Sequence, residues 1–177
     1  MFENYNLHEP SSFIEAKKQA ARQFQGQIGL VGIINIKKIN AFGEVVEERW
    51  TYNKVNDHGD NYWADVMSGT AARNGTFMSI GSGTNGGSKA TFKLEFEIAR
   101  GAMDTAYPQV GAGANDNDTI YRRTFTGLTA NGVAEAGLFR VVTLDTGSCI
   151  ERGTFTGVNL TSADSLQVTT TITNLGV

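Results

Sequence analysis

Three glutamates, Glu95, Glu97 and Glu135, are the residues best suited to acid–base work. Glycoside cleavage needs two carboxyl groups facing each other across one bond. Nothing in the spacing brings any two of these together, and the plainer reading puts Glu95 and Glu97 on solvated strand faces. The two histidines, His8 and His58, show no pairing with Cys149 or with a serine in a triad-like motif. His58 with Asp57 and Asp60 could offer metal ligands, but a polar turn accounts for the same residues. Asn115, Asp116, Asn117 and Asp118 could bind Ca²⁺ through oxygen atoms. They lack the glycine and distal glutamate of an EF-hand loop, and such strings are natural turn formers. Residues 81–87 (GSGTNGG) lack the lysine and following helix of a phosphate loop and read as a flexible connection. The expectation is a chain with no catalytic residue, no metal site and no cofactor.

The elements that carry these residues are mostly strands. Residues 28–39 are rich in Ile and Val, and Ala41, Phe42 and Gly43 make a short turn in which Gly43 supplies the left-handed position. The return strand, 44–52, alternates cleanly, with Val46, Trp50 and Tyr52 on one face. Tyr62, Trp63, Val66 and Met67 have the spacing of one or two helical turns, suited to plugging an open sandwich end. A strand is predicted at 76–80 and another across 89–100, where Phe92, Leu94, Phe96 and Ile98 alternate with charged residues and Ala99. Residues 101–118 read as a long surface loop. Four closely spaced strands follow, at 119–128, 133–142, 148–160 and 164–175, with turns at 130–132, 145–147 and 162–164. TFTG occurs at 124–127 and again at 154–157, which points Phe125 and Phe155 inward. Seven or eight strands make residues 27–177 an all-β domain, an antiparallel β-sandwich of Ig-like or jelly-roll type.

Residues 1–26 differ in kind. Ser12 and Glu15 have capping-box spacing, and good helix formers follow. Phe13, Ala20 and Phe24 form a narrow apolar stripe, while Lys17, Lys18 and Arg22 give a basic face. Phe2, Tyr5 and Leu7 are apolar handholds ahead of it. A helix of about a dozen residues is marginal alone in water, so it must pack on its own domain or on a neighbouring subunit. The second alternative makes Phe2, Tyr5, Leu7, Phe13, Lys17, Lys18, Arg22 and Phe24 the candidate partner-binding residues.

A net charge of −3 argues against nucleic acid as a partner. Twenty-one glycines against two prolines suit a protein with many tight turns. The single cysteine, Cys149, excludes an intrachain disulfide, fits a reducing cytosol and reads as a small buried thiol. No apolar run approaches the roughly 20 residues of a membrane span, and Glu3 and Glu9 do not suit a signal peptide.

Three stretches carry a resemblance: residues 36–56 (IKKINAFGEVVEERWTYNKVN), 78–100 (MSIGSGT, then FKLEFEIAR) and 124–172 (TFTGLTANGVAEAGLF, then IERGTFTGVNLTSADSLQVTTTI). Their order resembles small virion proteins of tailed bacteriophages, with a strand ending in "d.nG.v.e", an "iGtGt…E..R" segment, an "i.EaGlF" strand and a C-terminal "lar..f…i…adsl.it..i". Gly86-Gly87-Ser88-Lys89 departs from that pattern, and residues 1–26 lie outside it. The resemblance implies a non-enzymatic β-sandwich subunit of a virion, assembled in the host cytoplasm. Its partners would be copies of itself and other virion proteins, either the major capsid protein or neck and tail subunits, with no nucleic acid and no membrane. The expected place is on the capsid, as a decoration (cement) protein or at the head-to-tail junction, anchored by the arm. The alternative is a tail-fibre or receptor-binding module that contacts a host glycan through residues 101–118, where Tyr107 stands.

Overall fold

A computed structural model describes residues 12, 15, 30–71, 76–86, 88, 90–111 and 118–174. In chain order these form β1 (Leu30–Ile39), β2 (Val45–Val55), helix α1 (Asp57–Met67), β3 (Phe77–Gly81), β4 (Glu97–Ala102), β5 (Gln109–Val110), β6 (Asp118–Thr126), β7 (Ala130–Phe139), β8 (Cys149–Leu160) and β9 (Ser165–Asn174). The first hairpin forms as its alternation predicts. Gly43 takes φ +84°, and Asn40 Oδ1 accepts the amides of Phe42 (2.9 Å) and Glu44 (3.0 Å), which fixes the tip.

Every pairing is antiparallel, in the order β4-β3-β7-β8-β2-β1-β9-β6-β5. The ladder is almost severed in the middle. β2 meets β8 through two residue pairs, Lys54 with Arg152 and Val55 with Glu151. About that seam the ladder doubles over, and β4-β3-β7-β8 packs against β2-β1-β9-β6-β5 as an antiparallel β-sandwich. Ile34, Ile36, Leu166 and Val168 from one layer meet Met78, Ile80, Leu138 and Ile150 from the other, and Phe125 and Phe155 both point inward. On the opposite side, the margins of the two layers are stitched by polar groups. Arg123 Nη1 donates to the Ala102 carbonyl (3.0 Å), and the Asp104 carboxylate accepts from the amide (3.0 Å) and hydroxyl (2.9 Å) of Thr124. Such cover blunts edges that would otherwise offer themselves to another chain.

Helix α1 plugs one end of the sandwich, but it is longer than the sequence predicts. Asn56 caps it by accepting the Gly59 amide (2.9 Å), and Asp57 and Asp60 suit the positive end of the helix dipole. Residues that look like a turn are therefore the first helical turn. Tyr62 and Trp63 are buried, and Trp63 lies edge-on to Tyr62 (5.3 Å) and Tyr121 (6.4 Å).

Three further expectations are corrected. Residues 89–100 are not one strand: β4 begins only at Glu97, Leu94 is buried, and Phe92 and Phe96 are at least half exposed. The cause is that the amides of Glu95 and Phe96 bond to a side chain, Glu135, instead of to a neighbouring strand. The turn placed at 130–132 falls at Gly127 (φ +69°), and Gly132 (φ +65°) sits inside β7 where the register slips. Residues 101–118 are not one loop, because β4 runs to Ala102 and β5 lies within it. Among the described residues, no helix is long and apolar enough to cross a membrane.

Gly32 of β1 has no room for a side chain. A Cβ there would stand 1.9 Å from Asn53 Oδ1 and 2.2 Å from Glu151 Oε2. Gly32→Ala is expected to cost about 1–3 kcal/mol, read as a lower urea midpoint. Gly86→Ala, where nothing lies within 4 Å, should leave the midpoint unchanged.

Candidate functional site

β7 carries Glu135 on the face turned away from the main core, fully buried beneath Gly83, Glu95 and Phe96. Its Oε1 accepts the amides of Gly83 (2.9 Å) and Phe96 (2.9 Å). Its Oε2 accepts the Glu95 amide (3.1 Å) and Arg152 Nε (2.8 Å), with Arg152 Nη2 also at 2.8 Å. Glu95 repeats the pattern nearer the surface, accepting the amides of Thr84 (3.1 Å) and Asn85 (3.2 Å) and the Asn85 side-chain amide (2.6 Å). Arg152, 6% exposed, lies 4.0 Å from Glu95 and so between the two carboxylates. Gly81 and Gly83 allow the approach, since a Cβ on either would come within 2.6 Å of Glu135 Oε1. The segment that reads as a flexible connection is thus clamped by charge-assisted hydrogen bonds.

A second ion pair sits on the same layer. Glu97 and Arg100 have fully buried side chains and pair through both nitrogen–oxygen contacts, 2.6 and 2.9 Å. Ser79 donates its hydroxyl to Glu97, and the Arg100 guanidinium lies 3.6 Å from the centre of the Phe139 ring. The pair then reaches outward. Arg100 donates to the carbonyl of Val141 (2.9 Å), and Glu97 accepts the Asp145 amide (2.6 Å), so the β7–β8 loop is held from below.

Glu151 is different in kind. It lies at the β2–β8 seam, wholly buried, where Thr170 donates to its Oε1 and Asn53 faces it across Gly32. Burial pushes its carboxyl up to about 7, against the opposing influence of Thr170 and Asn53.

The structure brings Glu95 and Glu135 together around Arg152, which the spacing does not reveal, and keeps Glu97 apart with Arg100. The expectation that Glu95 and Glu97 lie on solvated strand faces is overturned: Glu97 is buried, and Glu95 is mostly covered. These carboxylates have their oxygens committed to backbone amides and guanidinium groups, an arrangement that fixes loops. Asp57, His58 and Asp60 lie exposed on the first turn of α1. Among the described residues, no group of three or more His, Cys, Asp or Glu is arranged to hold a metal. Asp118 is buried and accepts from Thr173 (2.7 Å), while residues 115–117 lie outside the described residues. Cys149 is the buried thiol expected, 3.0 Å from the Glu151 carbonyl, and burial raises it far above the ordinary thiol range. Of the arm, Glu15 donates its amide to Ser12 Oγ (3.2 Å), as the capping spacing predicts. Phe2, Tyr5, Leu7, His8, Phe13, Lys17, Lys18, Arg22 and Phe24 lie outside the described residues.

Beside Arg152 a shallow depression of about 600 Å³ opens to solvent, lined by Asn85, Ser88, Phe92, Lys93 and Glu95 among others. Sequence reasoning misses Arg100, Arg152 and Glu151 as site residues. The available signal is parity: a charge at a strand position whose neighbours pack inward must find a partner. The class defined by these features is a β-sandwich with loops locked by buried ion pairs. Comparison with protein-family models, with curated proteins and with solved structures found no match to this chain.

Two outcomes test the buried charges. Arg152→Met leaves Glu135 without its cation and is expected to cost about 3–5 kcal/mol in denaturant unfolding. Glu151 binds its proton more tightly folded than unfolded, so its contribution is complete below about pH 4.5 and is lost as pH rises through about 7. On the order of 3 kcal/mol should separate the ends of that window, and Glu151→Gln should flatten this part of the stability–pH curve.

Proposed function

We propose that this chain is a non-enzymatic structural subunit of a tailed-phage virion, capsid-associated as a decoration (cement) protein or at the head-to-tail junction. Its anchor is the N-terminal arm, residues 1–26, and its partners are other virion proteins and copies of itself. One observation carries the reading. Gly83, Glu135 and Arg152 fall in separate short stretches that bear the resemblance and meet on the outer face of one layer, where Glu97 and Arg100, from the same stretches, form a second buried ion pair. Motifs made of turn and strand residues thus supply two buried ion pairs that fix loops on one layer, which supports a shared build with those virion proteins. Both pairs stiffen loops, as suits a subunit used in many copies.

The alternative, a receptor-binding module for a host glycan, rests on exposed aromatic rings. Tyr107 is half-buried, with the Arg122 guanidinium 4.3 Å from its ring centre. Phe92, half exposed at the rim of the depression, is the better-placed ring for that role.

Deleting residues 1–26 is expected to leave a domain that melts cooperatively but no longer enters particles, as measured by the protein content of purified virions. Normal incorporation of the truncated chain would refute the anchor. Binding of the full chain on a glycan array, abolished by Phe92→Ala, would favour the alternative.

A further inference from the structure

Apart from Phe96 and Val110, the exposed large apolar side chains of the described surface fall into two groups, which the topology sets at opposite ends of the sandwich. The first is the β1–β2 tip, where Phe42 is 89% exposed and Val45 and Val46 about half so. Because Asn40 binds the turn from within, the ring is held out from the domain. The second is the β7–β8 loop, where Val141, Val142 and Leu144 are 40–57% exposed. Phe92 adjoins them: its carbonyl accepts the Cys149 amide (3.0 Å), and its ring lies 3.1 Å from where a Cβ on Gly147 would stand. This surface is also rigid, since Arg100 and Glu97 bind the loop backbone beneath it.

β2 runs from the first feature to the seam with β8, beside the second, and 11 strand residues separate them by about 35 Å. The four patch residues expose roughly 300 Å², a size at which an apolar patch on a monomer is often an interaction site. The charges also match. Glu44 at the tip is bonded to Asn40 and, among the described residues, has no cationic partner. Lys93, beside Phe92, is exposed and has no anionic partner among the described residues. Asp145, in the same loop, is the opposing charge that Lys93 must outweigh.

We propose that copies of this chain associate head to tail, the β1–β2 tip of one seated on the β7–β8 patch of the next, with Glu44 facing Lys93. The two surfaces differ, so each copy has one of each. Such a contact propagates, closing into a ring if the rotation allows and otherwise running on as a filament. A single contact of this area is weak, and repetition around a ring supplies the avidity.

The test is sedimentation velocity on the full chain at concentrations up to about 200 μM. The wild-type chain is expected to form species larger than one chain, increasing with concentration. Phe42→Glu and Leu144→Glu, both at exposed positions, should each sediment as a monomer with an unchanged melting curve. Mixed one to one, the two variants should form a dimer and nothing larger, because only one intact tip and one intact patch can meet. Asp145→Asn should shift assembly to several-fold lower concentration. A wild-type chain that stays monomeric, a Phe42→Glu chain that assembles like wild type, or a mixture that stays monomeric would each overturn the proposal. No particle is used, so failure here is distinct from failure of the virion reading.

Discussion

A carboxylate removed from water must find donors for its oxygens, and Glu135 organises one layer of this protein around that requirement. Its donors come from residues 83, 95, 96 and 152, so a single side chain ties β7 to β8 and to both ends of the connection between β3 and β4. Irregular backbone normally lies where water can satisfy it. Here the buried charge takes the part of water, and the connection sets Leu94 against Phe139 and Cys149 of the sheet. Removing the charge would release more than one contact, because the backbone amides would be left without acceptors.

The second constraint is the narrowness of the β2–β8 link. Two residue pairs join the layers as a ladder, and elsewhere the described backbone crosses at isolated bonds such as the Asn56 amide to the Ile150 carbonyl and the Asp104 amide to the Arg122 carbonyl. The interior must therefore supply the cohesion that a continuous ladder would give, and α1 contributes by packing Tyr62 and Trp63 into the end where the link lies. Asn56 fastens this corner. Its side chain caps α1 and donates to the Thr91 carbonyl (2.7 Å), and its amide bonds to the Ile150 carbonyl (3.1 Å).

Much of the sandwich is legible in the sequence because period-two alternation and turn chemistry agree there. The first hairpin, the inward Phe125 and Phe155 and the four C-terminal strands follow from local pattern alone. Alternation misleads at 89–96, where Phe92 and Phe96 have the right parity for a strand but their backbone is drawn to Glu135, distant in sequence. Parity likewise gives Glu97 a solvated place that Arg100 and Ser79 turn into a buried one. The ionic site is hidden for the same reason: Glu135, opposite Thr154, and Arg152, opposite Gly137, become diagonal neighbours through the β7–β8 register, and a register shifted by irregularities cannot be read from spacing.

Cys149 lies at the corner where these constraints converge, packed with Leu94 and Phe139 under the clamped connection. Its thiolate is strongly disfavoured while that corner is closed, both by burial and by nearby Glu151. The lone sulfur is therefore shielded in the native fold, where oxidants and alkylating reagents cannot reach it from solvent. Modification of the same atom would therefore mark molecules in which this corner has opened.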